Sequence, residues 1–196
     1  MPPTNPGRRR ALADAAIDLL ASSGVHGLTH RAVENAADLP PGTASNYFRS
    51  REALLVAAAE RIAELHHADT GRAVGRAVER PATLVDLLTE SLLTAATTLR
   101  SRYLAIFELQ LEATRRPVLA SALAGLQDAA LGVTAGHHDE LGTAIPRENI
   151  PALIMLYSGA LFTLVSAGPD GVSRDAVRST VQVMVDGCGT DAGRRP

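Results

Sequence analysis

Apolar positions recur with helical spacing along most of the 196-residue chain, and no stretch of useful length alternates with the period of two that a strand requires. From residue 9 to 23, Leu12, Ala15, Ala16, Leu19 and Leu20 fall on one helix face, and Gly24 supplies a stop. Thr29 is placed to cap a short helix running to Ala37, with Ala32, Val33 and Ala36 on its apolar side. Residues 38 to 42 read as a turn, and a very short helix comes next, through Phe48. Ser50 can cap a fourth helix, with Glu52 in the first turn, where a carboxylate suits the positive end of the helix dipole. Ala53, Leu54, Ala57, Ala58, Ile62 and Leu65 carry its pattern to about His67, and Gly71 and Gly75 weaken the helical tendency beyond that point.

Pro81 sits where another helix can begin, since its missing N–H would be unpaired in a first turn anyway. Further helices are predicted over residues 82–99, 101–114, 117–137, 147–167 and 173–187, the last with Val177, Val181 and Met184 on a common face. The expected fold is all-α, with about nine helices: an N-terminal three-helix domain and a C-terminal helical bundle. Residues 1–50, including a mobile arm over 1–7, form the first domain, residues 51–190 the second, and residues 191–196 a mobile tail.

Composition narrows the function classes. Aromatic residues make up only 3% of the chain, so the core must be aliphatic. The formal charge of −2 lacks the basic excess of a protein that coats nucleic acid unspecifically. Every basic residue is Arg, so any phosphate clamp uses the planar guanidinium fork. Cys188 is the only cysteine, which excludes an intrachain disulfide or a cysteine-rich zinc module and favours a reducing, cytoplasmic setting. Asp14 and Asp18 interrupt the N-terminal apolar run, so it does not read as a signal peptide. The most apolar stretch, residues 152–167, falls short of the roughly 20 residues that cross a bilayer, so no membrane span is expected.

Three short helices in about 40 residues, the second and third joined by a brief turn, form a helix-turn-helix arrangement. Leu12, Leu19, Val33, Leu39 and Phe48 can supply a small core that holds the third helix proud of the surface. Thr43, Ser45 and Asn46 then face outward as short hydrogen-bonding side chains within reach of base edges, flanked by Tyr47, Arg49 and Arg51 for phosphate oxygens.

The run LTHRAVENAADLPPGTASNYFRSREALL from Leu28 resembles the DNA-binding segment of TetR-type transcriptional regulators, and Tyr103 to Leu123 resembles that family's sixth and seventh helices. The resemblance rests on Leu28-Thr29, Ala36-Ala37, Gly42-Thr43, Tyr47-Phe48 and the run from Ser50 to Leu54. It implies that Thr43 and Tyr47 contact the DNA backbone, that Thr29 starts its helix, and that Arg51 touches phosphate. Pro40, Pro41, Ser45 and Asn46 match variable positions, some of which read bases. The DNA-facing set is thus Thr29, Arg31, Pro41, Thr43, Ser45, Asn46, Tyr47 and Arg51. Two residues depart from the pattern: Asp38 stands where the turn usually has Gly, and Pro40 replaces the usual Ser or Thr cap of the recognition helix. Asp tolerates a left-handed backbone better than most residues, so the turn is expected to survive.

The resemblance implies a C-terminal domain that binds a small molecule and forms a homodimer. In residues 147–167, Leu153, Ile154, Tyr157, Leu161 and Leu164 cover one face while Met155, Leu156, Ala160 and Phe162 cover much of the rest. A helix apolar nearly all round must be buried on both sides. With Gly159 allowing close approach, the expected dimer interface is Leu153, Tyr157, Gly159 and Leu161 with Val177, Val181 and Met184, against the alternative of a monomer's central core helix. Tyr103, Phe107, Gln110 and Leu111 combine apolar surface with few polar groups, the profile of a pocket for an apolar or amphipathic effector, and equally that of plain core.

Other features carry less. Adjacent His137 and His138, with Asp139 and Glu140, lack an i, i+4 partner and read as a solvated loop rather than a metal site. His66 and His67 read as surface residues at a helix end, and Arg72, Arg76 and Arg80 as a solvated stripe. No nucleophile motif, phosphate loop or metal-ligand pair appears, so neither an enzyme nor a cofactor is expected. The expected partner is double-stranded operator DNA. The alternative is a helical protein-interaction module without specific DNA binding.

Overall fold

The computed structural model describes residues 5–77, 83–124 and 145–189, with side chains omitted over 70–77. Among the described residues there is no strand. The helices are α1 (Pro6–Gly27), α2 (His30–Ala36), α3 (Thr43–Tyr47), α4 (Arg51–Ala77), α5 (Leu84–Ala96), α6 (Arg100–Ala113), α7 (described over 117–124), α8 (Ile150–Ala167) and α9 (Arg174–Cys188), with 3-10 turns at Arg147–Asn149 and Pro169–Gly171. The all-helical expectation therefore holds. Packing groups them into two units: residues 1–71 with 101–128, and residues 72–100 with 129–196. The expected C-terminal tail, the helix start at Pro81, the histidine-rich loop and the Arg72, Arg76 and Arg80 stripe lie outside the residues and side chains described.

Local chemistry explains where the helices begin and end. α1 starts earlier than expected because Asn5 caps it, its side-chain oxygen accepting from the amides of Gly7 at 2.9 Å and Arg8 at 3.3 Å, and Pro6 occupies the first helical position. Gly24 breaks the helix at φ 64°, as the pattern predicts. Thr29 caps α2 through the Ala32 amide at 3.1 Å, and Ser50 caps α4 through the Ala53 amide at 3.1 Å. α4 runs on to Ala77 rather than ending near His67: an interior Gly costs about 1 kcal/mol, which does not by itself stop a helix already propagating. α5 is opened by a capping box in which Thr83 and Asp86 satisfy each other's backbone amides.

In the first unit, Leu12, Leu20, Leu28, Val33, Phe48, Leu54, Ile62 and Leu109 form a continuous buried core. α6 is stitched to the break in α1 by Glu108, whose carboxylate accepts the Val25 amide at 3.0 Å. In the second unit, Val85, Leu92, Leu153, Val177, Val181 and Met184 pack α5, α8 and α9 together. The ends of α9 and α5 are tied by ion pairs of Arg178 with Asp86 and Arg174 with Glu90. These exposed pairs contribute little beyond register.

Residues Arg147–Ala167 form a 21-residue helical stretch long and apolar enough, by length and composition alone, to cross a membrane, because the 3-10 turn extends the run that the sequence suggested. Leu153 and Val165 on it are buried and the Tyr157 hydroxyl hydrogen-bonds Ser91 at 2.6 Å, while most of the stretch is not buried within the protomer.

His66 is not the surface residue at a helix end that its position in the sequence suggests. Its ring meets Tyr103 edge-on at 6.4 Å, its Nδ1 is buried without a hydrogen-bond partner among the described residues, and nearby Arg102 is paired with Asp69. Burial, reinforced by the Arg102 charge, lowers its pKa below the usual 6.5. The unfolded chain therefore binds a proton more readily than the folded one. The contribution is complete above pH 6.5 and is lost as pH falls through that value toward the lower folded pKa. Thermal melts at about pH 7.5 and about pH 5.5 should show a smaller acid-side loss of stability for His66→Phe than for the parent chain. An equal loss in both would show that His66 is not desolvated.

Candidate nucleic-acid interface

The turn between α2 and α3 is built from backbone hydrogen bonds and two left-handed residues. The amides of Asp38 and Leu39 donate to Asn35 O at 3.3 Å and Glu34 O at 3.0 Å, closing α2. Asp38 takes φ 51°, the conformation expected of it in place of Gly. Gly42 takes φ 85°, and a Cβ there would meet nothing within 4 Å, so backbone conformation rather than space makes Gly the suitable residue.

α3 contains only five residues, and no side chain at its N-cap supplies a hydrogen bond. The missing cap comes from α2. Buried Glu34, 5% exposed, accepts the Ala44 amide at 2.7 Å, while the Thr43 amide donates to Pro40 O at 3.1 Å. At the other end, His30 Nε2 lies 2.7 Å from the carbonyl of Phe48, and because a carbonyl only accepts, that nitrogen carries the proton. Ala44 and Phe48 are buried, so one side of α3 is held in the core.

The opposite side is exposed. Ser45 and Asn46 are both exposed, the Ser45 hydroxyl donating to Gly42 O at 3.0 Å, which leaves its oxygen able to accept. Asn46 makes no hydrogen bond among the described residues, so its amide can both donate and accept. Thr43 is half-buried and donates to Pro40 O at 2.6 Å. Thr29, Arg31 and Pro41 are exposed. Tyr47 is half-buried, with its ring 6.4 Å from that of Phe48, and its hydroxyl accepts the Asn5 amide at 3.1 Å. The start of α1 thus lies against the end of α3, where the Arg9 guanidinium also sits 5.5 Å over the Phe48 ring.

Arg51 departs from the expected phosphate role. Its Nε donates to Leu28 O at 3.0 Å and a terminal nitrogen donates to Val25 O, so the guanidinium is turned inward onto the end of α1. Leu28 lies just past the end of α1, and Arg51 supplies its carbonyl with a donor, while Val25 O accepts both the Leu28 amide at 3.1 Å and the Arg51 guanidinium. Glu34, His30 and Glu108 were missed by sequence reasoning. The available signal was an omission: Pro40-Pro41-Gly42 offers α3 no side-chain cap, and accounting for its amides asks for an acceptor elsewhere.

The other expected sites do not assemble as the sequence suggests. Tyr103 and Phe107 pack against the core of the first unit, whereas Gln110 is exposed and Leu111 is 64% exposed. Burial raises the Tyr103 pKa, consistent with a core position. In the second unit, Leu153, Val177, Val181 and Met184 lie inside the protomer, whereas Tyr157 and Leu161 are half-buried and Gly159 is exposed. The expected interface face is corrected: those four residues fill the protomer's own core because α5 packs over them. The outward apolar side chains are Met155 (76% exposed), Leu156 and Phe162 on α8 and Val183 (72%) on α9.

These features define an all-helical protein carrying a helix-turn-helix. The family described as "Bacterial regulatory proteins, tetR family" matches residues 12–58, and "Tetracyclin repressor-like, C-terminal domain" matches residues 79–187. The chain belongs to the TetR family of bacterial regulatory proteins. Among solved structures, a TetR-family member from Streptomyces coelicolor A3 is 27% identical with a TM-score of 0.69, covering 91% of this chain and 98% of that one. The multidrug binding protein EbrR complexed with ethidium is 26% identical with a TM-score of 0.65, covering 90% and 98%. GusR from Salmonella enterica, 21% identical with a TM-score of 0.69 over 96% and 98%, shares the fold. No curated protein sequence matches the chain.

Replacing Arg51 by Met should destabilise the protein by about 1–3 kcal/mol, since the part-buried Leu28 carbonyl loses its donor and Val25 O loses one of two. Lys, a single ammonium without the fork, should recover only part of that loss in urea unfolding. Unchanged stability in Arg51→Met would return Arg51 to a surface role.

Proposed function

We propose that the chain is a cytoplasmic transcriptional repressor that binds a near-palindromic duplex operator as a homodimer and releases it when a small molecule binds the C-terminal region. The observation that carries the reading is the presentation of Ser45 and Asn46, exposed on a helix whose opposite side and both ends are fixed. Short polar side chains so held suit base edges in the major groove, while exposed Arg31 and Arg49 suit phosphates. Thr29, Pro41, Thr43 and Tyr47 complete the surface.

The proposed functional division falls near residue 50, with DNA recognition before it and regulation after it. A homodimer would bury the outward apolar side chains of α8 and α9 and set two recognition helices one DNA turn, about 34–36 Å, apart. A ligand preferring a conformer with a different spacing lowers DNA affinity, and DNA then lowers ligand affinity by the same factor. The EbrR complex with ethidium supports an effector of this kind, and the aliphatic composition favours an apolar or amphipathic one. α4, which comes directly after the recognition helix, is the proposed lever.

Selection of bound sequences from random duplex DNA tests the reading, and a near-palindromic consensus is expected. On the selected duplex, Asn46→Ala should change preference at one or two base positions by about 1–3 kcal/mol each, whereas Tyr47→Phe should weaken binding evenly across sequences. Even losses for both would defeat the assignment.

Gly159→Leu tests the dimer. A Cβ at Gly159 meets nothing within 4 Å in the protomer, so the variant should fold normally yet sediment as a monomer. A persistent dimer would place the interface elsewhere.

A further inference from the structure

One face of α2 grips both ends of α3. Glu34 takes the Ala44 amide at the start of α3, and His30 takes the Phe48 carbonyl at its end, each at 2.7 Å. The two grips stand four residues apart on α2, and therefore one turn apart on the same side. The local sequence cannot substitute for them. Pro40 and Pro41 carry no side-chain acceptor, Gly42 carries no side chain, and the hydroxyls of Thr43 and Ser45 donate to Pro40 O and Gly42 O while the Ala44 amide goes to Glu34. Glu34 is also only 5% exposed, a burial that proteins ordinarily avoid for a polar group unless it is bonded.

We propose that Glu34 and His30 form a two-point clamp that positions the recognition helix for base readout, making them specificity-determining positioning residues that do not themselves touch DNA. The inference rests on the DNA-binding reading above. Hydrogen bonds to base edges tolerate only a few tenths of an ångström, whereas attraction to phosphates is long-ranged. A shift of α3 on its support therefore erases discrimination between sequences while leaving general duplex affinity in place. A residue needed only for folding would lower both together.

The test uses the full chain, a duplex recovered by it from a random pool, and a shuffled duplex of equal length. Glu34→Ala and His30→Ala should each weaken binding to the selected duplex by about tenfold or more, with binding to the shuffled duplex changed less than about twofold. Glu34→Gln keeps an acceptor for the Ala44 amide and should stay within about threefold of the parent on both duplexes. Parent-like discrimination in Glu34→Ala, or parallel losses on both duplexes, overturns the proposal, as does a folded Glu34→Gln that behaves like Glu34→Ala. Should the alanine variants fail to fold, amide hydrogen exchange in the parent chain still decides: Ala44 must be protected well beyond an open peptide, and free exchange there refutes the clamp. Failure of the DNA reading itself looks different, with no duplex recovered by the parent chain while Ala44 stays protected.

Discussion

A five-residue helix contains barely more than one turn, too short to offset its own nucleation, so α3 exists only because the rest of the first unit holds it. Its apolar side is Ala44 with the adjoining Phe48, both buried. Its polar ends are met by Glu34 and His30 from α2. The break at Gly24 lets the chain turn from α1 into α2, and the groups it exposes are taken up by Arg51 and Glu108. The small N-terminal helices, the start of α4 and α6 thus form one connected network of satisfied backbone groups. With the support fixed in this way, the outward side of α3 is free to carry short polar side chains whose only constraint is their direction.

The second unit is built on a different logic. α5, α8 and α9 bury an aliphatic core and leave a second apolar surface, led by Met155 and Val183, facing outward. Those side chains are available to the association surface of the proposed homodimer. The TetR family membership and the proposed homodimer give that surface a purpose. The 21-residue apolar stretch ending at Ala167 would serve both demands in the proposed homodimer, one face for the core and one for a partner.

Much of this was legible in the sequence because it depends on neighbours along the chain. The apolar face of α1, the Gly24 break, the Thr29 and Ser50 caps and the left-handed Asp38 are all short-range matters of spacing and backbone preference. The direction of Arg51 was not legible, since a guanidinium after an exposed segment reads as a phosphate ligand until the carbonyls of Val25 and Leu28 at the end of α1 are placed beside it. Glu34 was hidden for a related reason: its partner is ten residues away, across a turn. The face of α8 and α9 was misassigned because a helix apolar all round has two candidate inner sides, and only the position of α5 selects between them. Along α6 the sequence left pocket and plain core equally open, and residues 103 and 107 are half-buried while 110 and 111 are exposed.

Everything functional depends on α3 being the element that meets DNA. Backbone amide shifts of the full chain, recorded as a selected duplex is added in dilute salt, address that directly. The largest changes are expected over Thr43–Tyr47 and the adjoining start of α2, with residues on the outer face of α8 little affected. Largest changes on α8 or α9, with α3 unmoved at saturation, would contradict it.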